Sequence, residues 1–338
     1  MCRLLLSDTK MKMRFGDNNE EVFETNIGAP QGDAISGIFF NIAFEHALRD
    51  LRATIKETTE VPDHDYCKPK ITPPSEIIYA DDSDFPSKDK LRNETIRQQA
   101  NSVLSKHSLK VNDEKWEITN IERSTSIEQE IEWRKTKKLG SLLGDYQDMR
   151  NRIQLANAAM ESVEKVWPSK KVKEKQRLKI YNAIVKSILT YNMATWGLTK
   201  AQEEEYDIAH RKQLRKVTRD PYIKNSMLYE RCRETKLSSQ MKSRRWQALG
   251  HMLRLEESTP CQLAMQYYFN VPENAVKFTG RKIITLPVRI DQDLKEAAKS
   301  NVIPIKKFEN SNDLKPLRKI ASNRVDWRRL SSTVCDEC

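Results

Sequence analysis

The sequence predicts an α+β first part followed by an all-α remainder, with the change near residue 145. Three observations predict it. Before that point short apolar runs are bounded by turn residues. After it, helical periodicity recurs between isolated prolines and glycines. The composition suits helices throughout, with only 9 Gly among 338 residues. That length is enough for more than one core, and we divide the chain as 1–145, 146–256 and 257–338.

Residues 11–15 and 21–27 alternate weakly about Gly16-Asp17-Asn18-Asn19, which predicts a β-hairpin with a polar turn. Gly28-Ala29-Pro30-Gln31-Gly32 breaks the alternation. An apolar-rich helix follows from Ser36 to Lys56, with Ile38, Ile42, Ala43, Leu48 and Leu51 as its inward face. Prolines at 62, 69, 73 and 74 make 60–75 a loop. Glu76 to Ala80 is a short strand, Asp81-Asp82-Ser83 its turn, and Asp84-Phe85 the start of a return strand that Pro86 limits. A helix over 88–108, short strands at Leu109–Asn112 and Trp116–Ile118, and a short element over 133–144 complete this part.

Helical patterns then cover 147–167, 172–195, 200–218, 225–235 and 238–255, separated by Pro168, Gly197 and Pro221. From about 270 the pattern loosens around Pro272, Gly280, Pro287 and Pro304, ahead of a helix near 312–322. Residues 257–338 are therefore expected to be loosely structured.

The net charge of +11 is unevenly spread. Residues 1–130 hold 17 Lys+Arg against 24 Asp+Glu, and residues 131–338 hold 42 against 24. One reading is an acidic, site-bearing part joined to a part that attracts polyanions; the other is lysine and arginine solvating helix surfaces. Cysteines at 2, 67, 232, 261, 335 and 338 show no disulfide framework, which favours an intracellular setting over secretion. No run approaches the roughly 20 apolar residues of a membrane span, and Met1–Leu6 is too short for a signal peptide. Cys335-Asp336-Glu337-Cys338 is either half a zinc site or a frayed tail.

Asp81 and Asp82 are candidates for a chemical role. Adjacent strand residues point to opposite faces, but at a hairpin tip both carboxylates can lean toward one point, where a divalent cation relieves their repulsion. Hard oxygens suit Mg²⁺ or Mn²⁺. By themselves two aspartates in a turn also read as a plain acidic loop.

The neighbourhood is more specific. An apolar strand leading into Tyr79-Ala80-Asp81-Asp82 resembles the catalytic hairpin of reverse transcriptases, and the companions resemble those of non-LTR (LINE-type) retrotransposons. The resemblance implies Asp81 as metal ligand, Asp82 as its weaker companion, and Tyr79 near the primer end. Gly28-Ala29-Pro30-Gln31-Gly32 resembles the element beneath nucleotide and template, implying nucleotide or template contacts for Gly28, Pro30, Gln31 and Gly32. Leu109-Lys110-Val111-Asn112-Asp113-Glu114-Lys115 resembles the next element, whose lysine, here Lys115, faces the leaving phosphates; a surface lysine is the other reading. Trp116 stands where relatives carry a small polar residue. Lys138-Leu139-Gly140-Ser141 resembles the primer-grip segment.

Beyond it, Arg152–Ala156, Tyr181–Ala183, Leu189–Tyr191 and Thr195–Leu198 resemble the helical thumb of non-LTR elements. Arg244–Arg254 resembles a segment that follows it, and Gly280–Lys282 with Val325–Arg329 the closing stretch. Arg244, Arg245 and Arg254 are phosphate-contact candidates, since a guanidinium grips phosphate with a two-pronged fork. Trp196 and Trp246 at helical spacing read as core, and His251 as a capping or packing residue.

The resemblance thus implies a partial reverse-transcriptase palm (a small antiparallel sheet with helices), then an all-helical thumb and C-terminal region. It implies an RNA template and DNA primer or RNA/DNA hybrid as partners, deoxynucleoside triphosphates as substrate, and Mg²⁺ or Mn²⁺ as cofactor. No membrane is expected, and the setting is a nuclear or cytoplasmic ribonucleoprotein. Relatives place a first metal-binding aspartate upstream of the Gln-Gly turn. Only 27 residues precede Gly28, and Asp8 and Asp17 lack the apolar strand context. We therefore expect an N-terminally truncated polymerase fragment that lacks the first metal-binding aspartate and the fingers, has an incomplete two-ion site and is not competent alone. The alternatives are a non-catalytic nucleic-acid-binding protein and a decayed gene product.

Overall fold

Apolar residues at 47, 48, 51 and 55 recur at helical spacing, and helix α1 (Ser36–Thr58) turns them to one side. Leu48, Leu51 and Ile55 meet Ile96, Ala100 and Val103 of α2 (Lys90–Ser105), and these six residues form the core of the first of two compact units. That unit comprises Met1–His64 with Pro74–Glu117; the second comprises Asp65–Pro73 with Ile118–Cys338. The computed structural model describes residues 9–15, 19–25, 35–58, 76–87, 89–121, 132–269, 284–300, 302–303 and 311–336. Gly28 to Gly32, Gly280 to Lys282 and Cys338 lie outside the described residues.

In the first unit β1 (Thr9–Phe15) pairs antiparallel with β2 (Asn19–Thr25), Thr9 opposite Thr25 and Phe15 opposite Asn19. β3 (Ile77–Tyr79) pairs antiparallel with β4 (Asp82–Asp84). Leu48 and Leu51 are buried as expected, but Ile38 and Ile42 are 59% and 63% exposed, and Ala43 is exposed too. The reason is length: α2 has 16 residues against the 23 of α1 and packs on its C-terminal half. The Asp89 side chain caps α2 by accepting from Leu91 N at 2.9 Å. At the other end His107 Nε2 lies 2.8 Å from Asp50 Oδ2 of α1.

The strands expected at 109–112 and 116–118 are absent from the described structure. Asn112 instead accepts from Glu114 N at 3.1 Å and caps a 3₁₀ turn, Asp113–Lys115. The flanking apolar residues Val111 and Trp116 pack on the α1–α2 core, so their apolar character reports helix contact rather than sheet pairing.

The second unit is built of helices. A short hairpin, β5 (Lys137–Lys138) with β6 (Ser141–Leu142), leads into α3 (Asp145–Ser162). Next come α4 (Glu174–Ile180), a π-helical stretch Tyr181–Lys186 and α5 (Ser187–Leu189). α6 (Lys200–Thr218), α7 (Asn225–Cys232) and α8 (Leu237–Arg254) follow. One core joins α3 to the start of α8 and includes Trp167, Tyr181, Trp196 and Tyr206.

Residues beyond 257, expected to be loose, add α9 (Pro260–Phe269), α10 (Leu286–Lys299), α11 (Lys315–Ser322) and α12 (Arg324–Asp336). These share a second core with Trp246, Leu249 and Leu253 of α8. α10 docks through alternate chemistry: Ile290, Leu294 and Ala297 are buried, while Arg289, Asp293 and Glu296 pair with Glu203, Arg245 and Lys242. α12 docks through Trp327, whose Nε1 donates to the Trp246 carbonyl at 3.0 Å and whose ring stacks on Trp246. Gly250 makes room, since a Cβ there would lie 2.1 Å from Trp327 Nε1.

The fold is thus mostly helical, with small antiparallel sheets, and consistent with α+β. Among the described residues the strands form three separate two-stranded sheets rather than one. No described helix is long and apolar enough to cross a membrane.

Candidate active site

Glu45, Arg49 and Arg52 lie on one side of α1, and Arg52 reaches from there to the start of the hairpin that carries the aspartates. Its Nη1 and Nη2 donate to the two Glu45 oxygens at 2.9 and 3.0 Å, and its Nε donates to Glu76 Oε1 at 2.8 Å. Glu76 immediately precedes β3. The bonds from Arg52, then Arg49, hold the Glu45 carboxyl down at about 2. On the far side of the hairpin, Phe85 packs on the α1–α2 core. One salt bridge at the start and one aromatic seat at the exit fix the hairpin on its helices.

Register then decides what the hairpin presents. Ile77 opposes Asp84, Ile78 opposes Ser83 and Tyr79 opposes Asp82. Directly opposed residues share a face, so Tyr79 and Asp82 stand together with Ile77 and Asp84. The loop is Ala80-Asp81, one residue earlier than the sequence suggested, and Asp82 belongs to β4. Ala80 has a positive φ of 53°. Two-residue hairpin loops need such angles to match strand twist, and a Cβ makes them costly by about 1–2 kcal/mol. Tyr79 is 67% exposed, and Asp81 and Asp82 are exposed.

Lys115 ends the 3₁₀ turn and is exposed. Trp116 beside it anchors that turn by packing on the same core that seats Phe85. The departure from a small polar residue is therefore a packing solution. The structure places Tyr79, Asp81, Asp82 and Lys115 in one compact unit.

The Leu139-Gly140 tip of β5–β6 has positive φ at both residues, 47° and 78°, as a type I′ turn requires. Tyr191 Oη donates to the Leu139 carbonyl at 2.9 Å, and Arg152 donates to the Gly140 carbonyl and, at 3.2 Å, to Ser141 Oγ. The Arg152 guanidinium lies 4.3 Å from the centre of the Tyr191 ring. Asp148 accepts from Leu142 N at 3.0 Å and Trp196 Nε1 at 3.1 Å. Asp145 accepts from Gly197 N at 2.7 Å, yet burial still pushes its carboxyl up to about 6. The Leu139-Gly140 hairpin is thus locked to the bundle by Arg152 and Asp148 of α3 and by Tyr191 in the turn after α5.

Of the arginines expected at phosphate, Arg244 is exposed. Arg245 is 2% exposed and held by Asp293, which removes it from the surface. Arg254 is half-buried and donates to the Ala321 carbonyl at 3.0 Å. Trp196 and Trp246 are buried, as their spacing suggested, and His251 is exposed on the last turn of α8. Cys335 is half-buried.

Residues 2–147 match the family model for reverse transcriptase (RNA-dependent DNA polymerase). Neither a curated protein nor a solved structure matches the chain. The reverse-transcriptase match spans the Tyr79–Asp82 hairpin, Lys115 and the Leu139-Gly140 tip, and supports a reverse-transcriptase-like function. Such domains in general bind a nucleic-acid template and primer with deoxynucleoside triphosphates, and use divalent metal ions. Mg²⁺ is commonly held by one or two carboxylates together with substrate phosphates. Exposed Asp81 and Asp82 fit that arrangement, whereas among the described residues no group of three or more His, Cys, Asp or Glu is placed to hold a metal unaided.

The part that Arg52, Glu45, Glu76 and Phe85 play in holding the hairpin was not read from the sequence. The spacing of Glu45, Arg49 and Arg52 was a usable signal for the helix part of the clamp. The link to Glu76, across 24 residues, had none.

Proposed function

We propose that the chain is an RNA-directed DNA polymerase of the non-LTR retrotransposon type, with its chemistry at the Tyr79–Asp82 hairpin. The observation that carries this reading is the clamped hairpin, with Tyr79 and Asp82 on one face and Asp81 at the loop, inside the segment that matches reverse transcriptase. Asp81 would ligate Mg²⁺ or Mn²⁺ with Asp82 as its companion, and the ion would neutralise charge on the triphosphate. Lys115 would stabilise the leaving pyrophosphate. Gly28, Pro30, Gln31 and Gly32 would contact nucleotide and template. Tyr79 would lie against the primer end, and the Leu139-Gly140 tip would steady the primer strand. Residues 146–256 would serve as thumb, with Arg244 available to phosphate, in a nuclear or cytoplasmic ribonucleoprotein.

Two carboxylates on one hairpin fall short of a two-ion cage, so turnover would require a carboxylate from a further strand. Primer extension on an RNA template with deoxynucleoside triphosphates and Mg²⁺ tests the reading. Extension that disappears in Asp81→Ala supports it, and no extension by the wild-type chain under any metal condition removes catalytic competence. A second reading, a non-catalytic nucleic-acid binder, is favoured by the excess of 42 basic over 24 acidic residues in 131–338. It predicts binding that falls steeply with salt and is indifferent to Asp81→Ala.

A further inference from the structure

Lysines crowd one stretch of the helical unit remote in sequence from the hairpin. Lys165 to Lys179 contains seven basic residues and a single acid, Glu174. The arginine and the acid in it are engaged in holding the fold. Arg177 donates from Nε to the Val217 carbonyl and from Nη1 to the Val172 carbonyl, both at 2.7 Å. Glu174 accepts from Arg231 Nε at 2.9 Å and Nη2 at 2.6 Å. Arg219 donates from Nε to the Trp167 carbonyl at 2.6 Å and also to the Ser169 carbonyl. Trp167 is buried and donates to the Met160 carbonyl at 2.8 Å.

Arginines therefore engage the loop's carbonyls and hold its backbone, while Lys165, Lys170, Lys171, Lys173, Lys175 and Lys179 are all exposed. None of those six forms an ion pair among the described residues. Six like charges on this stretch, with Lys170, Lys171 and Lys173 on the stapled loop itself, repel one another, and a polyanion relieves that repulsion.

A second, independent feature adjoins it. Arg231, bound to Glu174, also reaches Asp220 Oδ2 at 3.4 Å. Asp220 lines an open cavity of about 570 Å³ whose other walls include Tyr222, Ile223, Lys224, Met227 and the acid Glu230. Tyr222 is 94% exposed and Met227 56% exposed. An exposed aromatic ring with Ile223 and Met227 beside it, next to a lysine track, combines base stacking with phosphate attraction. Lysines act as point charges without the planar fork that reads bases, so the contact is independent of sequence. The ring needs an unstacked base, which a duplex does not offer. An acidic peptide would satisfy the lysines but not Tyr222, Ile223 and Met227.

We propose that the lysine loop and the Tyr222 cavity together form a binding site for single-stranded nucleic acid. It is built from residues other than those of the hairpin chemistry, so Asp81→Ala leaves it intact and its failure is separable from failure of the polymerase reading. Fluorescence anisotropy of the full chain with labelled oligo-dT and oligo-U over a salt series tests it. The triple variant Lys170→Glu, Lys171→Glu, Lys173→Glu is expected to lose affinity by about tenfold or more. Its salt slope should shrink by about 2, at roughly 0.7 per lost contact with a single strand. The corresponding alanine triple should move the slope the same way without adding repulsion. Tyr222→Ala should weaken binding about tenfold at unchanged slope, and Tyr222→Phe should bind as wild type.

These side chains are exposed, so melting temperatures should not move. A preference for oligo-U or for oligo-dT supports the site and assigns its strand. Wild-type affinity and slope in the triple variants overturn the proposal. So does a duplex that binds as tightly as the single strand with Tyr222→Ala neutral, or a polyglutamate that competes as well as oligo-dT.

Discussion

Arg245 Nε donates to Asp293 Oδ2 at 2.7 Å, with both side chains inside the protein. An arginine in a run of basic residues has become an internal strut between α8 and α10. Removing one member leaves a buried charge without its partner, a loss of about 3–5 kcal/mol. We expect Arg245→Ala and Asp293→Ala each to lower the melting temperature sharply. The double replacement Arg245→Met, Asp293→Leu should recover most of it. Chemical denaturation of the three variants checks this; a mild Arg245→Ala effect with lost nucleic-acid affinity would return the residue to the surface.

Gly250 should not tolerate a methyl group. A Cβ there would meet Trp327 Nε1 at 2.1 Å and Cδ1 at 2.5 Å. Alanine normally favours a helix by up to about 1 kcal/mol over glycine. Here overpacking should outweigh that gain and destabilise by about 1–3 kcal/mol. The unfolding midpoint of Gly250→Ala decides the sign, and the tryptophan emission of Trp246 and Trp327 should shift toward that of a wetter environment.

Ala80 predicts the opposite behaviour. Its positive φ is relieved by glycine, so Ala80→Gly should be neutral or stabilising by up to about 1 kcal/mol. If the strain aims Asp81, the same change should lower primer extension while leaving melting intact. Equal activity in Ala80→Gly would show the strain to be incidental.

His210 sets an acid limit for the helical unit. It is fully buried, neither ring nitrogen has a hydrogen-bond partner, and Tyr181 stacks on it at 6.2 Å. Burial, aided by Lys186 and Arg211, holds its pKa down to about 3 from an ordinary 6.5. The unfolded chain therefore binds the proton more readily between those values, and stability is lost as pH falls from about 6.5 to 3. Asp145 acts in the reverse sense: its carboxyl is raised from 3.8 to about 6, so its contribution falls as pH rises through that interval. His210→Phe should flatten the acid limb of a stability profile and Asp145→Asn the opposing limb. An unchanged profile in both would refute the assignments.

Much of the helical unit was legible because proline and glycine punctuate it. Pro168, Gly197 and Pro221 fall between helices where the sequence placed breaks. The π stretch at Tyr181–Lys186 was not, because an extra residue per turn leaves no compositional trace. In α1 the same periodicity that located Leu48 and Leu51 also selected Ile38 and Ile42, which are exposed; spacing identifies a face and not how far a partner extends along it. The Asp-Asp pair drew the predicted turn one residue too late, since alanine at positive φ gives no turn signal. The docking of residues beyond 257 was hidden for a different reason. Its determinants are pairs such as Asp293 with Arg245 and Trp327 with Trp246, 48 and 81 residues apart.

That last separation has a consequence for how the protein is made. Synthesis delivers α8 well before α12, so the Trp246 face and the notch at Gly250 stay uncovered until Trp327 has emerged. During that interval the nascent chain shows an aromatic surface that only its own later residues can close, a natural target for chaperones. A premature stop anywhere before Trp327 would release the polypeptide with that surface permanently open, so the genetic message must be read through to α12 for the Trp246 face to be closed.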